Sequence, residues 1–516
     1  MSVATSAAAP AQRCAPRSDH YDVVVIGTGL GGLSSAALLA RHGMKVLAVE
    51  RGEGPGGYAH GFRRGPYLFD PAIHVIPEGD FVRGLLAYLG VEDQAELVPV
   101  DALYGLGFPG LSGKVPLGRA AFVETHARLF PSERAAFVRF FEVFARVFRE
   151  AAELPMKLGL TELGEAAARF PTLFRYRGAT VSEVLDEHLS DPRLKALLTA
   201  CWSYMGLPPS RLSFLHFCQL LNVIIDGSYY CRGSFQRLVD AFVTALERDG
   251  GELLLNAEAT RIVVEDGRAR GVVLADGSTI GADVVISNAD PRRTFEGLVG
   301  EDHLPARVLG RLRRMRPSLS AFLIFAGSTL DFEQLGASHD NFLFDHWDHD
   351  KTMADVLSGR PGGTSVNVPT LVDPSLAPAG EHAVIVRALA PYDVGEPWGG
   401  RKAAYADELL GACERAYPGF GDSLTFSESA TPLVLERYSG NFQGACYGWE
   451  ISPEQVGSQR ASHETPVGGL YLAGHWAPEG AGSFRTMTSG ITTAQLVLSR
   501  ARAGVTIPAF KRRDLG

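Results

Sequence analysis

The clearest hydrophobic pattern begins at Tyr21, where Val23-Val24-Val25-Ile26 form a short, unbroken β-branched run. Such a run suits a parallel strand covered on both faces. A glycine-rich turn, a helical stretch through LSSAALLARHG and a second apolar run ending at Glu50 complete a predicted βαβ unit. Apolar positions 238, 239, 242, 243 and 246 predict a later helix, and the turns Asp266-Gly267 and Asp276-Gly277 then punctuate a set of strands. Near the C-terminus the pattern gives a strand ending at Gly474, a glycine-rich loop and a helix from about Thr488. Two long stretches lie between these segments. One carries a helix capped at Ser132, on which Phe137, Phe140, Phe141, Phe144 and Phe148 share one face. That face is either core packing or a lipophilic tunnel wall or membrane-facing surface. The run LSFLHFCQLLNVII, residues 212–225, is too short to span a bilayer and is either a buried helix or one lying on a membrane.

The first turn carries chemistry. Gly27, Gly29 and Gly32 fit GxGxxG: one glycine for the turn, one for backbone approach to a pyrophosphate, one for packing of helix on strand. The helix N-terminus offers N–H donors and the positive end of its dipole to an anion. Glu50 stands 18 residues after Gly32, where a carboxylate accepts hydrogen bonds from a ribose diol. This is a dinucleotide site, open at this point to NAD or FAD. Residues 51–76 favour FAD, because Arg51, the Gly56-Gly57 pair and alternating extended segments replace the next helical crossover of a nicotinamide fold.

The run ER-x-x-x-x-GG followed by F-D-x-x-x-H resembles the phytoene desaturase, carotenoid isomerase and retinol saturase family, a branch of the amine-oxidase-like flavoproteins. The resemblance extends through residues 228–290 to GGLYLAGHWAPEGAGSFRTMTSG, and covers Tyr21 to about Ala503. It implies an α/β fold: a Rossmann-type, glutathione-reductase-like FAD-binding domain with a discontinuous α+β substrate domain inserted. The FAD domain is expected from 21–90, 228–300 and 461–503, and the substrate domain from 91–227 and 301–460 with membrane-contacting helices. Residues 1–20 read as a disordered leader and 504–516 as a tail. The implied FAD contacts are Gly27, Gly29, Leu30, Gly31, Gly32, Glu50, Arg51, Gly56, Gly57, Tyr58, Ala259, Gly474, His475, Gly482 and Ser483. Where the family commonly has a loop resembling GxGVPG, this chain has Gly480-Ala481-Gly482-Ser483-Phe484-Arg485, whose backbone N–H groups serve a flavin equally well.

Composition narrows the partners. With 49 Lys+Arg against 58 Asp+Glu, a net charge of −9 and no basic block, nucleic acid is excluded. Mean hydropathy is +0.04, high for a soluble enzyme, yet no stretch approaches the roughly 18 apolar residues of a membrane span. Six cysteines without a CxxC pair indicate neither a disulfide framework nor structural zinc, and fit a reducing cytoplasm. The apolar excess adds an expectation of peripheral membrane contact.

The chemistry expected is carbon–carbon desaturation of a long apolar polyene or isoprenoid-like molecule, with hydride passing to flavin N5. The alternatives are a polyene isomerase using reduced FAD, a saturase, or an oxidase of an amine or other tailoring substrate. A prenyl-lipid carrier without flavin chemistry is the remotest. The electron acceptor, quinone or oxygen, is left open. His74 is a candidate proton relay or substrate-orienting group, and Arg485 a cation offsetting charge on reduced flavin. Asp70 reads as a packing carboxylate. His475, Trp476 and Glu479 lie in the last flavin loop. The loop Asp345-His346-Trp347-Asp348-His349-Asp350 reads as a solvated or lid loop rather than a metal site, and without a GxSxG elbow a hydrolase is set aside.

Overall fold

A computed structural model describes residues 15–154, 162–501 and 504–510. Two seven-stranded sheets organise it. In the first, Glu252–Leu254, Val46–Val49, His20–Ile26 and Thr279–Ser287 lie side by side and parallel. The far half of Thr279–Ser287 also pairs in parallel with Leu470–Leu472, while its first half meets the antiparallel hairpin Ala259–Glu265 and Arg268–Leu274. The valine run explains why both faces are covered: Val23 and Val25 pack beneath the helices Leu30–Arg41, Gln236–Arg248 and Ser483–Ala501, whereas Val24 and Ile26 face the hairpin and residues 295–315. Leu304, Leu309, Leu312 and Met315 thus share a core with this sheet although they follow residue 300.

The second sheet runs Leu424–Ala430, Ser320–Ser328, His382–Ala390, Thr364–Asn367, Asp340–Leu343, Tyr104–Phe108, Leu111–Val115. All its neighbours are antiparallel except Asp340–Leu343 with Tyr104–Phe108. On one face Phe342 and Leu389 join a helical core with Trp202 and Phe217; the same parity carries Asp340 and Arg387 toward that side.

Several expectations are corrected. The aromatic helix spans Arg134–Glu153 after a one-turn 3-10 helix at Pro131–Glu133, and Ser132 makes no capping bond to it. Its phenylalanines are all buried: Phe137, Phe140, Phe141 and Phe144 pack in a core with Phe122, Phe214 and Phe217, while Phe148 lines an internal cavity, so this face is not a membrane-facing surface. Residues 214–226 form a helix buried in the same core rather than one lying on a bilayer. The last helix begins at Ser483, five residues before the position expected, because the glycine loop turns directly into it. The Asp345–Asp350 loop is not simply solvated: Asp348 caps the helix His349–Leu357, Trp347 stacks on Phe108 and His349 is buried against Trp202. The first strand starts at His20, and the Arg17 backbone N–H donates to Glu252, so the end of the expected leader is anchored. Residues 1–14 of that leader, and 511–516 of the tail, lie outside the described residues.

Candidate functional site

The glycines of the first turn are required by close backbone contacts. A Cβ on Gly32 would collide with the Gly27 carbonyl, and one on Gly31 would stand 2.7 Å from Gly474 Cα. Gly31, Gly32 and Gly474 therefore let helix, turn and last strand close together, while Gly27, Gly29 and Leu30 line the cavity above them. Gly56 adopts φ +121° and its N–H donates to Thr28 O at 3.0 Å; a Cβ on Gly57 would lie 3.2 Å from Gly29 Cα. The second glycine pair thus rests on the first turn. Glu50 pins the same junction, accepting from Thr28 N–H (2.9 Å), Thr28 Oγ1 (2.7 Å) and Gly52 N–H (2.9 Å).

A cavity of about 2850 Å³ starts here. Pockets for one drug-sized ligand hold about 300–1,000 Å³, so this one has room for a dinucleotide and a second molecule. Glu50, Arg51, Gly56, Gly57, Tyr58 and Ala259 line it, as do His475, Gly482, Ser483, Arg485 and His74. Arg51 is tied to the carbonyls of Arg437 and Tyr438, and Tyr58 stacks on His475 at 6.0 Å. The first turn of Ser483–Ala501 faces the cavity, which brings the positive end of its helix dipole there. Arg485 donates to the Glu479 carbonyl and to Gln219. The cavity continues between helices, past Phe148, Leu173, Phe174, Leu215, Leu220 and Val223.

Electrostatics near the last loop are unusual. Burial, then the neighbouring Arg460, pushes His475 down to about 3, and burial, then Arg485, lowers Arg460 to about 9. Burial also takes His216 well below the ordinary histidine range. His463 and Glu479, 3.0 Å apart, form a buried ion pair: burial opposes both charges, but each partner outweighs it, raising His463 and lowering Glu479. Both ring nitrogens of His216 and Nε2 of His475 are buried with no hydrogen-bond partner among the described residues. A buried polar atom left so costs about 1–3 kcal/mol, a cost a polar ligand in the cavity would remove. The glycine cradle, the Glu50 carboxylate, the helix N-terminus and these nitrogens fit FAD.

At another wall of the cavity His74 Nδ1 lies 3.1 Å from Asp340 Oδ2, both side chains buried. Tyr204 donates to the same oxygen, and Arg387 lies over the Tyr204 ring at 5.6 Å. Asp70, four residues earlier, packs as expected, accepting from Ser234 Oγ, Tyr230 and the Phe235 N–H. Residues missed from sequence are Asn288, which fills the glycine cradle, and Tyr204, Asp340, Arg387, His216 and Arg460. Asn288 had a signal, since it closes a strand beside the first one, at a point where parallel sheets bind ligands. The others come together only through long-range pairing.

Among curated proteins the chain is 26% identical to the all-trans-retinol 13,14-reductase of Danio rerio, over 93% of this chain and 86% of that one. It is 28% identical to the lycopene-forming phytoene desaturase of Paracoccus sp. (strain N81106 / MBIC 01143), over 92% and 97%. An oxidoreductase structure from Methanosarcina mazei superposes with a TM-score of 0.64 at 18% identity, covering 91% of this chain and 99% of that one, and shows the fold. The family model for flavin containing amine oxidoreductase matches residues 30–498. With that match covering all of the second sheet and all but the first strand of the first, the chain is an FAD-dependent oxidoreductase that belongs to the flavin containing amine oxidoreductase family.

Proposed function

We propose that this enzyme transfers hydrogen across a carbon–carbon bond of a long apolar, polyene or isoprenoid-like molecule, in the desaturating direction. One observation carries the reading: the cavity that begins at the glycine cradle continues without interruption into an apolar arm walled by Phe148, Leu173, Phe174, Leu215 and Leu220. An extended hydrocarbon in that arm would be held by non-directional burial worth about 25 cal/mol per Å² of apolar area, with one end brought to the flavin. FAD, when bound, supplies a hydride acceptor. The chain's part is to orient the substrate, exclude water and manage protons: the apolar arm does the first two, His74 the third. Arg485, on the first turn of the last helix, is the cation we assign to offsetting charge on the reduced cofactor.

The retinol reductase relative runs hydrogen the opposite way, and the same geometry serves saturation or a redox-neutral cis–trans isomerisation. Taking up so apolar a substrate also calls for peripheral contact with a lipid surface. No helix among the described residues is long and apolar enough to cross a membrane, and the exposed Leu129 and Val138 lie on the helical side of the molecule. Flotation with liposomes tests this part.

The decisive test is anaerobic: the FAD-loaded protein is mixed with phytoene in detergent micelles, with all-trans-retinol after photoreduction, and with a panel of amines, while flavin absorbance is followed. Bleaching by phytoene alone is expected. Bleaching by an amine alone would overturn the reading, and isomerisation of a cis-polyene by reduced enzyme without net redox would move it to the isomerase.

A further inference from the structure

Loss of two hydrogens from adjacent carbons needs two destinations, one for a hydride and one for a proton. The FAD site provides the first. A buried base beside the cavity would provide the second. His74 is held in a way that suits this task. It lines the cavity from the extended segment between Tyr67–Phe69 and Ile76–Pro77. Its backbone is fixed by His339, whose Nε2 donates to the His74 carbonyl at 2.8 Å. Its Nδ1 meets Asp340 Oδ2 at 3.1 Å, and its Nε2 is buried with no hydrogen-bond partner among the described residues.

Asp340 decides which nitrogen carries the proton. It begins the strand Asp340–Leu343, is fully buried, and accepts from Tyr204 as well as from His74. Burial alone would raise its carboxyl, but His74, Arg387 and Tyr204 outweigh this and hold it below the usual range. An ionised carboxylate only accepts, so the imidazole must donate from Nδ1, which leaves the lone pair on Nε2. Arg387, on His382–Ala390, the next strand but one in the same sheet, is raised in turn: burial opposes its charge, and Tyr447, Asp340 and Tyr204 more than compensate. The groups facing the imidazole are therefore Asp340, Tyr204, His339 and Arg387, and Asp340 is the anion among them.

We propose that His74 Nε2 is the catalytic proton acceptor of the reaction, with Asp340 as the positioning residue that fixes its tautomer and balances the imidazolium formed. The inference rests on the reading of the substrate given above. In the oxidative direction bound FAD would supply the acceptor for the hydride leaving one carbon. The adjacent C–H bond breaks, its electron pair becomes the new π bond, and its proton passes to Nε2. In the reverse direction the imidazolium would return that proton, the hydride coming from the bound cofactor.

Two measurements test it. The first needs no turnover: long-range 15N–1H correlation spectra of histidine-labelled protein, with His74 assigned from the His74→Gln variant, should show the Nδ1–H tautomer in the wild type and lose it in Asp340→Asn. The second is the rate of anaerobic flavin bleaching by phytoene. His74→Gln should lower it by roughly 10²–10⁴-fold with FAD still bound. Asp340→Asn should lower it by about 10-fold or more, since the imidazolium formed loses its counter-charge. Asp340→Glu should restore part of the rate. An Nε2–H tautomer in the wild type, or equal bleaching by wild type and His74→Gln, overturns the proposal. Failure of phytoene to bleach even the wild type would instead count against the substrate reading, and the tautomer measurement would still decide this one.

Discussion

The side chain of Asn288 occupies the space that a Cβ on Gly31 would enter: its Oδ1 lies 2.8 Å from that position. Asn288 follows the strand Thr279–Ser287, Gly31 lies in the first turn of the helix Leu30–Arg41, and Gly474 closes against both. Three distant parts of the chain thus meet at one point with no room for a methyl group, and this point is the floor of the dinucleotide site.

Gly31→Ala should consequently lose FAD, because the obstacle is the Gly474 backbone, 2.7 Å away, as well as the asparagine. Gly32→Ala should be worse, since its methyl meets the Gly27 carbonyl. Overpacking of this kind costs about 1–3 kcal/mol or more. The contrast is Gly399→Ala, in the helix Trp398–Ala416, where nothing lies within 4 Å and alanine should gain up to about 1 kcal/mol. Flavin absorbance per protein and thermal midpoints read all three; retention of FAD by Gly32→Ala would show that the turn can relax.

Glu50→Gln tests the pin between the two glycine segments. One of the acceptor oxygens becomes an NH₂ that faces an N–H, and an unsatisfied buried group costs about 1–3 kcal/mol. FAD affinity, measured by fluorescence quenching of added cofactor, should fall by roughly 10–100-fold with little change in the spectrum of what binds. Unchanged affinity would mean that the carboxylate serves the loop and not the cofactor.

Asp70 makes a pH prediction. Burial lifts its carboxyl from 3.8 to about 6, against the pull of Ser234, Tyr230 and the Phe235 N–H. A raised carboxyl binds its proton more tightly in the folded state, so its contribution favours folding at acid pH and declines as pH rises from about 4 to 6. The loss is at most on the order of 3 kcal/mol. Wild type minus Asp70→Asn stability, from urea titrations at pH 4.5 and 7.5, should shrink at the higher pH. Asp290 is lifted to about 6 by the same cause and will add to the wild-type slope, but it cancels in the difference. A difference that grows with pH would reverse the sign and refute the assignment.

The glycine turn and acidic residue of the candidate nucleotide site were legible as a local fold because they follow one another in the chain. Gly27, Gly29, Gly32 and Glu50 sit within one βαβ unit, where turn, helix start and strand end follow in order. Even the fringe of that site eluded reading: the last helix starts at Ser483, since serine, phenylalanine and arginine in its first turn carry no marked cap signal. The substrate wall was barely legible. His74 was singled out, but its partner Asp340 lies 266 residues away and Arg387 reaches the same place from another strand. The register of the second sheet sets Asp340 and Arg387 near one another and a segment outside that sheet brings His74 to them, and such long-range placement is encoded by no local pattern. The phenylalanine face shows the converse: periodicity identified the buried stripe but not what covers it, which turned out to be Phe122, Phe214 and Phe217.

That stripe supplies a last prediction, because its members differ in one respect. Phe144 is fully buried among Phe141, Phe214 and Phe217, whereas Phe148, one turn on, lines the apolar arm of the cavity. Truncating Phe144 leaves a hole enclosed on every side, and Phe144→Ala should cost about 3–5 kcal/mol of stability. Truncating Phe148 merges the space with a cavity that already exists, so fewer contacts are lost and Phe148→Ala should cost less. It should instead lengthen the arm, shifting the preference among isoprenoid substrates of graded length toward longer ones. Urea midpoints and flavin-bleaching rates across such a series measure the two effects separately. Equal destabilisation by both variants, with no change in length preference for Phe148→Ala, would remove Phe148 from the wall of the substrate arm.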